Sequence, residues 1–132
     1  MPEMNKVLLL LSAALACSSA GAAWVEIGAN ETGTFYVDYP SMQRDGDIVK
    51  MWYLVDFRKP QLDSNNIRYL SSKDQSEYDC KQERSRTVYY NNYSDNMGRG
   101  RITFTLKDPF QWRPAAPDTI AGALLKIACT KK

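Results

Sequence analysis

Side chains that commonly do chemistry are sparse in this chain of 132 residues, which contains no histidine and three cysteines. Without histidine, the chain lacks the usual proton-transfer group near neutral pH and the most common nitrogen ligand of zinc. The closest carboxylates, Asp45 and Asp47, flank Gly46, a pattern typical of a solvated turn. The sequence also lacks a glycine-rich phosphate loop and a nucleophile elbow. We therefore expect no enzymatic activity, no metal site and no cofactor.

The first 23 residues predict an export signal. Lys6 precedes an almost wholly apolar run over 7–16, and small residues follow as far as Ala23, which is the kind of site that signal peptidase cleaves. The apolar run is too short for a membrane-spanning helix, which needs about 20 residues. We therefore divide the chain into a signal peptide, 1–23, and one exported domain, 24–132.

Cys17 allows a second interpretation of this leader. It follows Ala14-Leu15-Ala16, which resembles the box before the first residue of a bacterial lipoprotein, although here the leucine stands two places before the cysteine instead of three. Lipidation at Cys17 would hold the domain on a membrane, whereas cleavage after Ala22 or Ala23 would release it into the periplasm. Both alternatives place the domain in the periplasm or at the outer membrane and cell surface.

Two cysteines, Cys80 and Cys129, remain in the exported domain. Because the compartment is oxidising, we expect them to form a disulfide rather than two free thiols. Two thiolates without a further ligand do not complete a tetrahedral metal site. In the chain-entropy model, a bridge that closes a loop of this length contributes about 4 kcal/mol.

Short aromatic and β-branched segments between turn formers predict an antiparallel sheet. We expect strands at 24–28, 34–39, 48–57 and 101–106, a weaker one at 67–72, and either one long bent strand or two over 77–90. Pro40 should end the second strand, and Asp45-Gly46-Asp47 should form a tight turn. The clearest strand, 48–57, has an apolar side that should face the core, formed by Val49, Met51, Tyr53, Val55 and Phe57.

After Pro117 the spacing of apolar residues changes from that of a strand to that of a helix. Asp118 or Thr119 is placed to cap it. So short a helix is unstable alone in water and must pack on the sheet. Its apolar stripe is predicted to contain Ile120, Ala123, Leu124, Ile127 and Ala128. The fold class is therefore α+β, with the disulfide joining the C-terminal helix to the sheet.

Two groups of side chains are candidates for binding a partner. If the strands pair as predicted, Tyr36, Trp52 and Tyr89 stand on the side of the sheet away from the helix, where they meet a partner, a second copy or the segment 110–117. The second group is basic and lies near tyrosines, although neighbouring acidic residues favour a solvated strand face; its members are Arg84, Arg86, Arg99 and Arg101. A net charge of only +2 gives no general attraction to nucleic acid, so we expect a protein partner or a homodimer.

An ordered set of residues runs through nearly all of the exported domain. It comprises Trp24, Tyr36 with Asp38, Met51-Trp52, Asp56, Pro60-Gln61, Ser72-Lys73, Tyr78-Asp79-Cys80, Arg84 with Arg86, Tyr93-Ser94, Met97-Gly98 with Gly100, Trp112 and Ala128-Cys129. Taken in order, this set resembles the surface-adhesin protein E family of Gram-negative bacteria. The resemblance implies an exported six-stranded antiparallel sheet whose helix is tethered by the disulfide.

The same resemblance implies a function. It points to a non-enzymatic cell-envelope protein that binds host matrix and serum proteins such as vitronectin, laminin and plasminogen, and that dimerises. Many relatives have no assigned role, so the alternative is a soluble periplasmic small-ligand or stress-related binding protein. A small-ligand carrier would need a closed apolar pocket between the helix and the sheet.

Overall fold

The computed structural model, which describes residues 23–130, contains one antiparallel sheet and a C-terminal helix. Six strands lie side by side in chain order: β1 Trp24–Ala29, β2 Gly33–Asp45, β3 Ile48–Leu62, β4 Arg68–Asp79, β5 Arg84–Tyr93 and β6 Ile102–Leu106. A two-residue strand, β7 Arg113–Pro114, pairs with the start of β5, and helix α1 spans Ile120–Thr130. This architecture confirms the predicted α+β class.

The predicted leader, with Cys17 and the cleavage sites, lies outside the described residues apart from Ala23. Both interpretations of the leader therefore stay predictions. Within residues 23–130, none of the helical structure is long and apolar enough to cross a bilayer.

Helix α1 packs on one face of the sheet, which we call the first face. The buried core there contains Val37, Val49, Met51, Tyr78, Ala115, Leu124, Leu125 and Ala128. The predicted apolar side of β3 lies on this face, where Val49, Met51 and Val55 are buried and Tyr53 and Phe57 are partly buried. Ala123 was wrongly assigned to the helix stripe: it is exposed, and Leu125 is buried in its place.

The start of α1 is set by Thr119. Its Oγ1 accepts a hydrogen bond from the Gly122 N–H at 3.1 Å, and its carbonyl oxygen accepts one from the Ala123 N–H at 3.0 Å. Of the two capping candidates, Thr119 is therefore the N-cap. Gly122 is buried where the helix meets the preceding loop, and a Cβ there would overlap the Ala116 carbonyl. Only glycine allows this close approach.

The predicted disulfide is confirmed. Cys80 and Cys129 are bonded, with their Cα atoms 5.6 Å apart. Cys80 begins the turn that follows β4, and Cys129 lies in the last turn of α1. The bridge therefore ties the end of the helix to the sheet.

The prediction that Pro40 ends the second strand is wrong. β2 continues to Asp45, and Pro40 lies where the pairing with β3 shifts register between Asp38 and Gln43. Ser41 Oγ bridges this gap, since it donates to the Asp38 carbonyl at 2.6 Å and accepts from the Trp52 N–H at 3.0 Å. A proline that cannot donate to the ladder is tolerated at such an irregularity.

The segment 67–90 differs most from the predicted strands. β4 begins at Arg68 and runs without interruption to Asp79 between β3 and β5. The region 77–90 contains two strands, because Asp79 Oδ1 accepts the N–H groups of Lys81 and Gln82, both at 3.1 Å, and so starts a turn. Glu83 completes this turn with a φ of 52°. The side chains of β4 are largely polar, so the pattern of apolar residues did not indicate its full length.

Candidate functional site

The face of the sheet opposite α1, which we call the second face, carries a row of side chains across five strands. Paired positions of adjacent antiparallel strands share a face. The pairs Trp24–Asp38, Asp38–Trp52, Trp52–Gln75 and Gln75–Tyr89 form this row. The register of the strands, set by irregularities such as the one at Pro40, therefore determines which aromatic side chains meet.

Three aromatic residues proposed from the sequence all lie on the second face. Trp52 and Tyr89 form an edge-to-face pair with ring centroids 5.7 Å apart. Tyr36 stands between Glu26 of β1 and Leu54 of β3. Burial raises the pKa of Tyr36, with smaller contributions from the charges of Glu26 and Asp56. All three side chains are partly exposed and available for contact.

A small pocket lies beside this row. Its volume is about 210 Å³, and its lining consists of Trp24, Asp38, Trp52, Lys73, Asn91 and Tyr93. Lys73 Nζ lies 5.0 Å from the ring centroid of Tyr93 and 6.0 Å from that of Trp24. Of these residues, the sequence predicted only Trp52 as a binding residue, because the others come together only through the register of the strands.

Arg84 and Arg86 lie at one end of the second face, where each has a fixed acidic partner. Arg84 Nε is 2.9 Å from Asp79 Oδ2, and Arg86 Nη2 is 2.8 Å from Glu77 Oε1. Hydrogen bonding from the Gln82 N–H lowers the pKa of Asp79, burial opposes this effect, and Arg84 strengthens it.

Trp112, from the segment that includes β7, completes this group. Both guanidinium groups lie 4.7 Å from the Trp112 ring centroid. The two arginines and Trp112 thus attach the segment to the end of the sheet through ion pairs and cation–π contacts.

Arg99 and Arg101 lie far from this group. They are exposed in the connection that follows β5, whereas Arg84 begins that strand. A strand of this length spans roughly 30 Å. The four arginines therefore do not form one patch.

The part of the chain that the structure describes contains no group of three or more His, Cys, Asp or Glu side chains that could hold a metal ion.

The fold and this face define a class of protein in which a disulfide-tethered helix covers one side of an antiparallel sheet and leaves aromatic side chains on the other. A family model described as Surface-adhesin protein E matches residues 24–130. The chain therefore belongs to the surface-adhesin protein E family, as the sequence resemblance predicted.

Solved structures of Haemophilus influenzae protein E share this fold. One matches with a TM-score of 0.64 at 18% identity, covering 85% of this chain and 87% of that chain. Crystal form II of the same protein gives 0.67 at 18% identity, with coverages of 85% and 91%. Protein E from non-typeable Haemophilus influenzae gives 0.62 at 18% identity, with coverages of 85% and 80%. No curated protein matches the chain.

Proposed function

We propose that this chain is an exported, non-enzymatic envelope protein of a Gram-negative bacterium, and that it binds a protein partner through the second face. The partner is a host matrix protein or another envelope protein. The observation that carries the proposal is the row across the sheet from Trp24 through Trp52 to Tyr89, which lies partly exposed on the face that α1 does not cover.

The size of the second face suits a protein contact. Six strands at about 4.8 Å spacing, with lengths that average about ten residues, give a face of roughly 24 by 33 Å, or about 800 Å². The turn Asn96–Gly98 covers part of it, because it packs there on Leu54 and Ser71. One side of a standard protein–protein interface buries a similar area, about 800 Å². The part of the face around Trp24, Trp52 and Tyr89, where the side chains are partly exposed, is the part open to a specific partner or to a second copy of this chain.

The composition of the face supports the same conclusion. Tryptophan and tyrosine are the side chains most often found as energetic anchors of interfaces, near the centre of the contact. Trp52 holds this position, since it lies on a central strand and packs edge-to-face on Tyr89. The acidic partners of Arg84 and Arg86 make that end of the face a polar rim.

The alternative of a small-ligand carrier receives no support from the helix–sheet interface. Leu124, Leu125 and Ala128 are buried there against strand side chains. Ile127 lies instead at the edge of an open apolar groove outside the core, beside Tyr39 and Lys126. The space that a carrier would use is occupied by the protein's own side chains.

Binding of the exported chain to immobilised laminin and vitronectin, measured by surface plasmon resonance, tests the proposal. Trp52→Ala should weaken binding about 30-fold, which corresponds to about 2 kcal/mol for an anchor residue. Phe110→Ala is the matched control, because Phe110 is 48% exposed and contacts Tyr90, which lies on the first face beside Asp74. Its binding should be unchanged.

Circular dichroism and thermal unfolding of each variant establish that the fold is intact. Equal binding by wild type and a folded Trp52→Ala variant would contradict the assigned face. If the chain is a dimer through this face, sedimentation should show that Trp52→Ala dissociates it and that Phe110→Ala does not.

A further inference from the structure

The pocket beside the aromatic row has three ring walls and three polar groups. The walls are Trp24, Trp52 and Tyr93, and the polar groups belong to Asp38, Lys73 and Asn91. We propose that this pocket binds a single neutral sugar ring of a glycan. The inference rests on the proposed function, since it names the chemical group recognised at the same face.

The polar groups of the pocket have unused hydrogen-bonding capacity. Asp38 Oδ1 is buried and has no donor among the described residues. Lys73 Nζ forms no ion pair within residues 23–130. Asn91 is buried, and its Oδ1 accepts a hydrogen bond from Thr105 Oγ1 at 2.6 Å, so its amide nitrogen remains as a donor. The pocket therefore offers one strong acceptor and two donors.

The charges of the pocket favour a neutral ligand. Asp38 and Lys73 contribute one negative and one positive charge, so the pair gives no net attraction to an anion or a cation. The Lys73 ammonium already lies near the rings of Trp24 and Tyr93, in the position that a ligand cation would take. A wholly apolar ligand would leave Asp38 Oδ1 without a partner.

A sugar ring meets all of these conditions. Its hydroxyl groups both donate and accept, so one can donate to Asp38 while others accept from Lys73 and Asn91. Its C–H groups carry slight positive charge and pack on the electron-rich faces of aromatic rings. Trp24 and Trp52 contribute indole rings to the pocket wall.

The volume limits the ligand to one ring. At about 210 Å³ the pocket is smaller than the 300–1,000 Å³ that is usual for drug-sized ligands. The rest of a glycan would extend across the exposed second face. A terminal or branching sugar on a glycoprotein or on an envelope polysaccharide would supply such a ring.

Saturation-transfer NMR on the exported chain tests this proposal. The probes are the methyl β-glycosides of D-glucose, D-galactose and N-acetyl-D-glucosamine, with L-leucine as a zwitterion of similar size. We expect at least one glycoside to receive saturation and to bind in the millimolar range, and leucine to receive none. Asp38→Asn should weaken that binding about tenfold, and Lys73→Met should weaken it at least as much.

Two further variants complete the design. Trp24→Ala should abolish the signal, whereas Phe110→Ala, which lies outside the pocket, should leave it unchanged. Asp38→Asn preserves the side-chain shape and therefore gives an answer even if Trp24→Ala does not fold. The proposal is overturned if no glycoside binds, if binding is equal in wild type and Asp38→Asn, or if leucine binds and the glycosides do not.

A final comparison separates sugar recognition from the protein contact. First, native and enzymatically deglycosylated laminin are compared for binding to wild type. Second, a galactose-terminated N-glycan and a lipopolysaccharide core oligosaccharide are compared for binding to wild type. Preference for either glycan supports the pocket and identifies a host or an envelope source. Undiminished binding of deglycosylated laminin, together with glycosides that fail to bind, overturns the sugar site and leaves the protein contact standing.

Discussion

Asp74 should make this domain less stable at neutral pH than at mildly acidic pH. Its carboxylate lies on the first face, paired across strands with Tyr53 and Tyr90. Tyr53 Oη donates to Asp74 Oδ2 at 3.2 Å, while Oδ1 is buried without a partner among the described residues. Burial raises the pKa of Asp74 to about 6 from its ordinary 3.8, although hydrogen bonds from Ser72 and Tyr53 oppose the rise.

The sign of the effect follows from proton binding. Because the folded state holds the Asp74 proton up to about pH 6 and the unfolded chain releases it near pH 4, the folded state binds more protons in this window. The free energy of unfolding should therefore fall as the pH rises from 4 to 6 and then level off. A shift of about two pKa units corresponds to at most about 3 kcal/mol.

The substitution Asp74→Asn removes this titration while it preserves the side-chain shape. At pH 7 the variant should be more stable than wild type by as much as about 3 kcal/mol, a rise in Tm of about 10 °C. At pH 4 the difference should shrink to less than about 1 kcal/mol, because Asp74 of the wild type is then neutral in the folded state and only about half ionised in the unfolded chain.

Urea unfolding followed by tryptophan fluorescence, at intervals from pH 4 to pH 8, measures both quantities. Asp108→Asn is the control, because Asp108 is exposed in the loop after β6, and its curve should follow that of wild type. Parallel curves for wild type and Asp74→Asn across the whole range would refute the reasoning. So would a loss of stability in Asp74→Asn at pH 7.

Three further predictions concern the helix and its attachment. Reduction of the Cys80–Cys129 bridge should lower the free energy of unfolding by up to about 4 kcal/mol, measured by urea titration with and without dithiothreitol; equal midpoints would contradict it. Gly122→Ala should cost about 1–3 kcal/mol because its Cβ overlaps a backbone carbonyl, whereas Gly28→Ala, where nothing lies within 4 Å, should change the Tm little. Thr119→Ala should cost about 1 kcal/mol through loss of the cap, and an unchanged midpoint in guanidinium would exclude that role.

Several elements of the fold could be predicted because they depend on local pattern or composition. The apolar side of β3 follows from the period of two, as the burial of Val49 and Met51 shows. The helix follows from the change to a helical period after Pro117. The disulfide follows from the presence of just two cysteines in the domain expected to be exported.

Other features depend on contacts between distant segments. The acidic partners of Arg84 and Arg86 lie on the neighbouring strand β4, and Trp112 reaches them from the segment that includes β7. Four arginines that looked like one basic group along the chain are therefore divided between two ends of the sheet. The length of β4 was underestimated, because a central strand with polar side chains lacks the apolar period from which strands are predicted.

The sequence alone thus determined the class of fold, the side of β3 that faces the core and the covalent bridge, since each follows from residue spacing or cysteine number. Only the tertiary structure decided which side chains meet on the second face. Trp24, Trp52 and Lys73 come from three strands, and the pairing of β1 with β2, of β2 with β3 and of β3 with β4 sets how those strands align. A slip of one residue in that alignment would turn every side chain of a strand to the opposite face, and the largely polar strand β4 has no apolar period from which its alignment could be predicted.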